Sequence, residues 1–270
     1  MKISKRSAGH ARWNRALVTG ASAGIGAAFA RCLASQGVDL VLVARDEARL
    51  QSLAEELLVR HNVAVEVLPA DLSDTQSLQV VERRLAADPF IDLLVNNAGI
   101  GTFGAFSSTD LDDEIRTIDV NVIAPLRLSR RALDRMRSED RGSIVSVSSL
   151  DGLQPTPYHS VYGATKAFVN SFSGALHEEI RDSAITVTTV MPGYVGTEFT
   201  AHAGVEGALD GVPNWLVLSP ERVATDALAD AAVGKALSVP GRHYKISAAM
   251  LGVLPQRFGR KIFAALAPQH

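Results

Sequence analysis

Tyr162-Gly-Ala-Thr-Lys166 sets a phenol and an ammonium four residues apart, the spacing that brings two side chains onto one face of a helix. An unperturbed tyrosine titrates near pH ~10 and exchanges protons poorly at neutrality, but a neighbouring cation stabilises its phenolate and makes it a usable acid–base group. Ser149 stands two residues beyond the apolar run Ser143 to Val147. A hydroxyl at the carboxyl end of such a strand can hydrogen-bond a substrate carbonyl oxygen and hold it beside the phenol. Tyr-x-x-x-Lys is also the spacing of ordinary surface pairs, and alone it leaves both readings open. Other chemistries are disfavoured. Ser149 lacks the Gly-x-Ser-x-Gly elbow of a hydrolase nucleophile. His177-Glu178-Glu179-Ile180-Arg181 carries Arg where a zinc helix needs its second His, and the seven histidines show no ligand spacing, so no metal is expected. His159, three residues before Tyr162, either lines the entrance to the site or is a solvated loop residue.

A second stretch with chemical potential is Leu17 to Gly26, Leu-Val-Thr-Gly-Ala-Ser-Ala-Gly-Ile-Gly, where an apolar run becomes a helical pattern. Gly20 makes a tight strand exit, and Gly24 and Gly26 remove side chains where a backbone must approach something closely. The helix that follows, with Ala27, Ala28, Phe29, Ala30, Leu33 and Ala34 apolar, aims its first N–H groups and its dipole at that point, an arrangement suited to a pyrophosphate. A plain strand-to-helix turn would carry the same glycines, so the remaining elements decide.

Those elements alternate. Arg15–Thr19, Val38–Ala44, Val63–Leu68, Ile91–Val95, Ser143–Val147 and Ile185–Met191 read as strands, several of them continuous apolar runs of the kind covered on both faces. Helices intervene: one capped by Asp46 with Leu50, Leu53, Ala54, Leu57 and Leu58 on one face, and one over Ser73–Ala87. A long helix over Asp110–Met136 follows, with Ile115, Ile118, Val122, Leu126 and Leu133 inward, Arg127, Arg130 and Arg131 outward and a kink at Pro125. The others span Val161–Arg181 and, behind Ser219-Pro220, Glu221–Ala232. Such βα alternation predicts an α/β fold: a single Rossmann-type doubly wound domain with a largely parallel seven-stranded sheet and helices on both faces. The expected division is a flexible tail at 1–14, the domain at 15–240 and an apolar-basic extension at 241–270. Residues 193–218, rich in glycine and too long for a simple connector, are expected to form a substrate lid.

Composition narrows the class. With 270 residues, 47% hydrophobic content and a net charge of −2, the chain can bury one large core and is not built to seek nucleic acid. The single Cys32 forms no internal disulfide and reads as core filling in a reducing compartment, taken as cytoplasmic. No apolar run reaches the roughly 18 residues of a membrane span, and the basic, polar N-terminus lacks the apolar segment of a secretory signal.

Thr19-Gly20-Ala-Ser-Ala-Gly24-Ile-Gly26, Asn96-Asn97-Ala98-Gly99, Asn121, Ser149, Tyr162-x-x-x-Lys166 and Pro192-Gly193 occur in that order over Arg15 to Pro240. In this series the sequence resembles the classical short-chain dehydrogenase/reductase family. The resemblance implies hydride transfer between a nicotinamide cofactor and a carbonyl or alcohol, with Asn121, Ser149, Tyr162 and Lys166 catalytic. Tyr162 would be the general acid in reduction and Ser149 would orient the carbonyl. Lys166 would bind the nicotinamide ribose and lower the Tyr162 pKa, and Asn121 would hold a water in a proton relay. Asn121 could instead kink its helix or satisfy a neighbouring carbonyl. The implied cofactor contacts are Gly20, Ser22, Ala23, Gly24, Ile25 and Gly26 around the phosphates, Asp71 and Leu72 at the adenine, and Asn97, Ala98 and Gly99 under the adenosine ribose. Tyr162, Lys166, Pro192, Gly193, Val195 and Thr197 complete them. Asp71 reads equally as a turn or capping residue. The family also suggests a homodimer or homotetramer built through the long fourth and fifth helices.

The residues themselves speak to cofactor choice. An NAD site places a carboxylate after the second strand; here stands Ala44-Arg45, and a guanidinium suits a 2′-phosphate, so NADP is expected over NAD unless Arg45 only pairs with Asp46 or Glu47. Phe103, Phe106, Leu153, Pro155, Tyr158, Tyr194, Phe199, Trp215 and Leu216 should give the substrate mouth an apolar lining, favouring an apolar ketone, aldehyde or 3-oxoacyl-type compound. The segment 246–266 is amphipathic with a break at Pro255. It either packs on a neighbouring subunit or over the lid, or lies on an anionic membrane surface. Two alternatives stand beside the NADP-dependent reductase: a non-catalytic nucleotide-sensing protein, and an NAD-dependent alcohol dehydrogenase working oxidatively.

Overall fold

Seven parallel strands form one sheet in the order β3-β2-β1-β4-β5-β6-β7. The structure is a computed structural model that describes residues 12–199 and 212–255. The strands are β1 (Arg15–Thr19), β2 (Asp39–Ala44), β3 (Val65–Pro69), β4 (Leu93–Asn96), β5 (Gly142–Val147), β6 (Ile185–Val190) and β7 (Leu237–Ser238). The order reverses between β1 and β4, which pair in register from Ala16–Leu93 to Val18–Val95. A crevice must open above the carboxyl ends of those two strands, because their connections depart to opposite sides.

Helices α1 (Gly24–Ala34), α2 (Glu47–His61) and α7 (Pro220–Ala232) cover one face of the sheet, burying Phe29, Leu33, Leu50, Leu57 and Leu228. Helices α3 (Thr75–Ala86), α5 (Ala124–Ser138) and α6 (Ser160–Glu179) cover the other, burying Leu78, Leu85, Leu128, Met136 and Leu176. Side-chain caps fix the entries: Asp46 accepts from the Arg49 amide, Asp74 from Ser77 and Ser219 from Arg222. Cys32 is half-buried on α1, its Sγ 3.4 Å from Thr225 Oγ1.

The long helix and the buried face of α2 depart from the sequence reading. The expected long helix is α4 (Leu111–Ile118) running through one π turn (Asp119–Ile123) into α5, so its apolar stripe rotates. Ile115, Ile118 and Leu126, expected inward, are exposed, and Ala124, Leu128 and Ala132 take the core positions. The wider turn changes the residue-to-face phase, which a uniform 3.6-residue period cannot anticipate. Leu58 likewise rolls off the buried face of α2.

Trp13 and Asn14, expected within the flexible tail at 1–14, are held against the sheet. Trp13 is buried and donates from Nε1 to Ser143 Oγ at 2.9 Å, while the backbone amides of Asn14 and Arg15 donate to the buried Asp92 carboxylate. Helix α8 (Arg242–Val253) inserts Tyr244 into a small cluster with Leu150, Met191 and Val239, and Gln154 Nε2 donates to the carbonyls of Leu251 and Leu254 at its end. The exposed Ile246, Met250 and Val253 lie on the same helix. The rest of the amphipathic segment, with Arg257, Phe258, Arg260, Lys261, Ile262, Phe263 and Leu266, and the lid glycines Gly204, Gly207 and Gly211 lie outside the described residues. Among those residues no helix is long and apolar enough to cross a membrane.

Candidate active site

The crevice between β1 and β4 is built from the strand exits. Gly20 leaves β1 with φ +65°, a conformation that a side chain resists, and the chain turns directly into α1. A β-carbon on Gly26 would fall into the Gly20 carbonyl, so this turn closes only without one. Thr19 ties the turn to β4: its Oγ1 accepts from the amides of Asn97 and Ala98 at 2.9 and 3.0 Å, while Asn97 Nδ2 donates to the carbonyls of Thr19 and Gly20. The result is a bare backbone floor at the positive end of α1, the environment that a pyrophosphate requires.

A cleft of about 1320 Å³ runs over this floor. Gly20, Ser22, Ala23, Gly24 and Ile25 line it, with Arg45, Asp71, Leu72, Asn97, Ala98, Gly99, Ser149, Tyr162, Lys166, Pro192, Gly193, Val195 and Thr197. Gly26 lies beneath the floor and Asn121 behind the wall, neither lining the cleft. The dimensions and the glycine floor fit a dinucleotide laid from Arg45 at one end to Tyr162 at the other.

At the Arg45 end the sequence alternatives separate. Asp46 caps α2 and pairs with Arg49, which also bridges to Glu198 at 2.7 Å, whereas Arg45 is exposed and makes no ion pair among the described residues. Arg49, not singled out in the sequence, therefore lines the cleft beside Arg45. Asp71 accepts from the Ser73 amide and hydroxyl and pairs with Arg116 at 3.0 Å, a turn and bridging role at the cleft edge.

At the other end Tyr162 and Lys166 occupy successive turns of α6 and are both buried. Lys166 Nζ donates to the Val147 carbonyl at 3.0 Å and lies 5.4 Å from the centroid of the Tyr162 ring. A β-carbon on Gly99 would sit 3.3 Å from that ammonium, so the floor and the lysine meet here. Burial pulls Lys166 down to about 8, against the pull of Asp151. Burial also pushes the Tyr162 phenol above its ordinary value, helped by the Asp151 charge, while the Ser149 hydroxyl acts in the other direction. Desolvation of the phenolate is the largest of these influences on Tyr162. Ser149 Oγ accepts from the Asp151 amide at 3.1 Å, leaving its own proton to be donated forward.

Asn121 sits in the π turn. Its Oδ1 accepts from the Ile100 amide at 3.0 Å, and its Nδ2 donates to the Ile100 carbonyl and Thr165 Oγ1. The side chain thus pins the loop after β4 to α6.

Of the residues expected at the substrate mouth, Phe103, Tyr194 and Phe199 line the cleft; Phe106, Leu153, Pro155, Tyr158, Trp215 and Leu216 do not. Phe106, Tyr158 and Trp215 are exposed, and Leu153 packs against the Tyr244 cluster. Tyr244 donates to the Leu216 carbonyl at 2.7 Å and accepts from the Tyr194 amide, holding both limbs of the loop that starts at Gly193. His159 is no solvated loop residue. Its ring stacks on Tyr162 with centroids 4.1 Å apart and 9° between planes. Asp151, in the 3-10 turn after Ser149, was missed altogether; its position two residues past the expected hydroxyl was the available signal. Among the described residues there is no cluster of three metal-ligating side chains.

The family profile described as short chain dehydrogenase matches residues 14–206. The very-long-chain 3-oxoacyl-CoA reductase of Anas platyrhynchos is 35% identical over 68% of this chain and 61% of its own length. The human protein named inactive hydroxysteroid dehydrogenase-like protein 1 is 32% identical over 84% of this chain and 67% of its own. The chain spans about two thirds of the length of these curated relatives. Among solved structures, a short-chain dehydrogenase from Sphingobium yanoikuyae in complex with NADPH superposes with a TM-score of 0.82 at 35% identity, covering 95% of this chain and 97% of that one.

Proposed function

The chain belongs to the short-chain dehydrogenase family, and from that membership we propose that it is an NADP-dependent reductase of apolar ketones, aldehydes or 3-oxoacyl-type compounds. The observation that carries the reading is the convergence of Ser149, Tyr162 and Lys166 at one end of a glycine-floored cleft whose other end presents an unpaired Arg45. Bound NADPH would supply the hydride. The chain's own groups supply the rest: Ser149 donates to the carbonyl oxygen, Tyr162 stands beside it as proton donor, and Lys166 holds the ribose side of the cleft. Burial that keeps the Tyr162 phenol protonated at neutral pH suits the donor's role in reduction. Phe103, Tyr194 and Phe199 give the mouth its apolar walls, and the NADPH-bound relative supports the cofactor assignment.

The relative named inactive favours a second reading, a nucleotide-binding protein without turnover. A panel of carbonyl compounds followed at the nicotinamide absorbance decides between them: turnover supports the reductase, and cofactor binding without turnover supports the second. We also propose the domain division of 15–240 with a lid at 193–218 and, as the family suggests, a self-associating assembly. The exposed Ile115, Ile118 and Leu126 on α4 and α5 supply an apolar face for it.

The cofactor preference has its own test. Charge-assisted hydrogen bonds are worth about 1.5–3 kcal/mol each, so Arg45→Asp, which replaces donors with a repelling carboxylate, should lower kcat/KM with NADPH by roughly 100-fold or more. The value with NADH should rise or hold. Equal losses with both dinucleotides would remove Arg45 from the 2′-phosphate.

A further inference from the structure

We infer that Asp151 selects the substrate: the site takes a carbonyl compound with a hydroxyl or amino donor next to the carbonyl and an apolar body, and turns away one with an anionic group there. The inference rests on the reductase reading above and names the substrate class within it.

Asp151 follows Ser149 by two residues in the 3-10 turn Leu150–Leu153, and its backbone amide is the group that positions the Ser149 hydroxyl. Its side chain lines the cleft with Tyr162, Tyr194 and His159. Among the described residues no donor hydrogen-bonds to this carboxylate. His159 Nδ1 stands 3.8 Å away, beyond hydrogen-bond reach, and burial pulls that imidazole down to about 4, so it is neutral and offers no counter-charge. Lys166 attracts the carboxylate but spends a hydrogen bond on Val147. Burial pushes Asp151 up to about 6, which still leaves it ionised at neutral pH.

The Asp151 side chain is 34% exposed and faces the cleft with no protein donor on it among the described residues, so a donor on a molecule in the cleft can reach it. Its charge reaches the reacting centre, raising Tyr162 and Tyr194. A substrate donor would satisfy it while the carbonyl engages Ser149 and Tyr162. An anion in the same place would meet like charge. His159 adds the apolar surface: stacked on Tyr162 and tilted against Phe103 at 5.7 Å, it sets ring faces beside Asp151 against which the apolar body of the substrate can lie.

Three aryl ketones of similar size test this: propiophenone, 2-hydroxyacetophenone and phenylglyoxylate, which carry methyl, hydroxyl and carboxylate substituents. Each is reduced with saturating NADPH by the full chain and by Asp151→Leu and Asp151→Asn. The natural chain should favour the hydroxy ketone over propiophenone by at least about 10-fold in kcat/KM and use the keto acid least. In Asp151→Leu that ratio should collapse by about 10-fold or more. In Asp151→Asn, which keeps the shape and loses the charge, phenylglyoxylate should gain about 10-fold relative to propiophenone. Ratios within threefold of the natural chain in both variants would overturn the selection role and leave the reductase reading standing. Failure of the natural chain to reduce any of the three ketones would sink the reductase reading, and the selection role with it.

Discussion

Tyr162→Phe is expected to lower the rate of carbonyl reduction by roughly 10³-fold while dinucleotide affinity stays within about threefold. The reason lies in what the substitution leaves behind. The Tyr162 ring is buried, stacks on His159 and tilts against Phe199 at 5.3 Å, and a phenyl group fills the same volume with the same contacts. Only the proton donor goes, and a positioned general acid contributes about 10²–10⁴-fold. Ser149 would still orient the carbonyl, which is why a residual rate should remain. The natural chain's pH profile belongs to the same prediction. The donor acts in its protonated form, and burial holds the phenol above its ordinary value, so the phenol itself stays competent through neutrality. Lys166, at about 8, loses its charge first as pH rises. The value of kcat/KM for reduction should therefore be level between pH about 6, where Asp151 titrates, and about 8, and fall above that. A rate that survives in Tyr162→Phe, or a profile that climbs through pH 8, would move the proton donor elsewhere.

The strands were legible in the sequence because a parallel sheet covered on both faces demands apolar runs, and Leu-Val-Leu-Val in β2 has no other good use. The glycine turn was legible because Gly20 and Gly26 meet steric demands that no other residue meets. What escaped was set by tertiary context. The π turn at Asn121 rotated the faces of α4 and α5, and nothing in the local pattern of Ile, Val and Leu distinguishes a helix of one phase from two helices of different phase. His159 and Asp151 escaped for a different reason. A histidine in a loop and an aspartate in a short turn are usually solvated, and only the fold of the β5–α6 connection over α6 brings both against Tyr162. Trp13 escaped because the strand it continues begins at Arg15, and the partner of its indole lies 130 residues away on β5.

Gly26→Ala should be the most damaging single methyl in the chain's first hundred residues. The added β-carbon would fall into the Gly20 carbonyl and lie 2.6 Å from Asn97 Nδ2, so no flexible side-chain tip can yield to it. Either the β1–α1 turn opens or the Asn97 bonds to Thr19 and Gly20 break, and both uncouple the two strands that bound the crevice. Overpacking of this kind costs about 1–3 kcal/mol where neighbours can shift and more where they are backbone, so a loss of about 3 kcal/mol in unfolding free energy is expected. Because the same turn carries the N–H groups at the start of α1, NADPH affinity should fall by roughly 100-fold even in the fraction that folds. Gly174→Ala is the matching control. That glycine lies within α6 with nothing within 4 Å of its would-be β-carbon, so alanine there should stabilise the chain by about 0.5–1 kcal/mol through helix propensity and leave NADPH binding alone. Equal thermal shifts in the two variants would mean that the floor of the cleft is looser than its packing indicates, and that the dinucleotide owes its place to Arg45 and Lys166 at the ends instead.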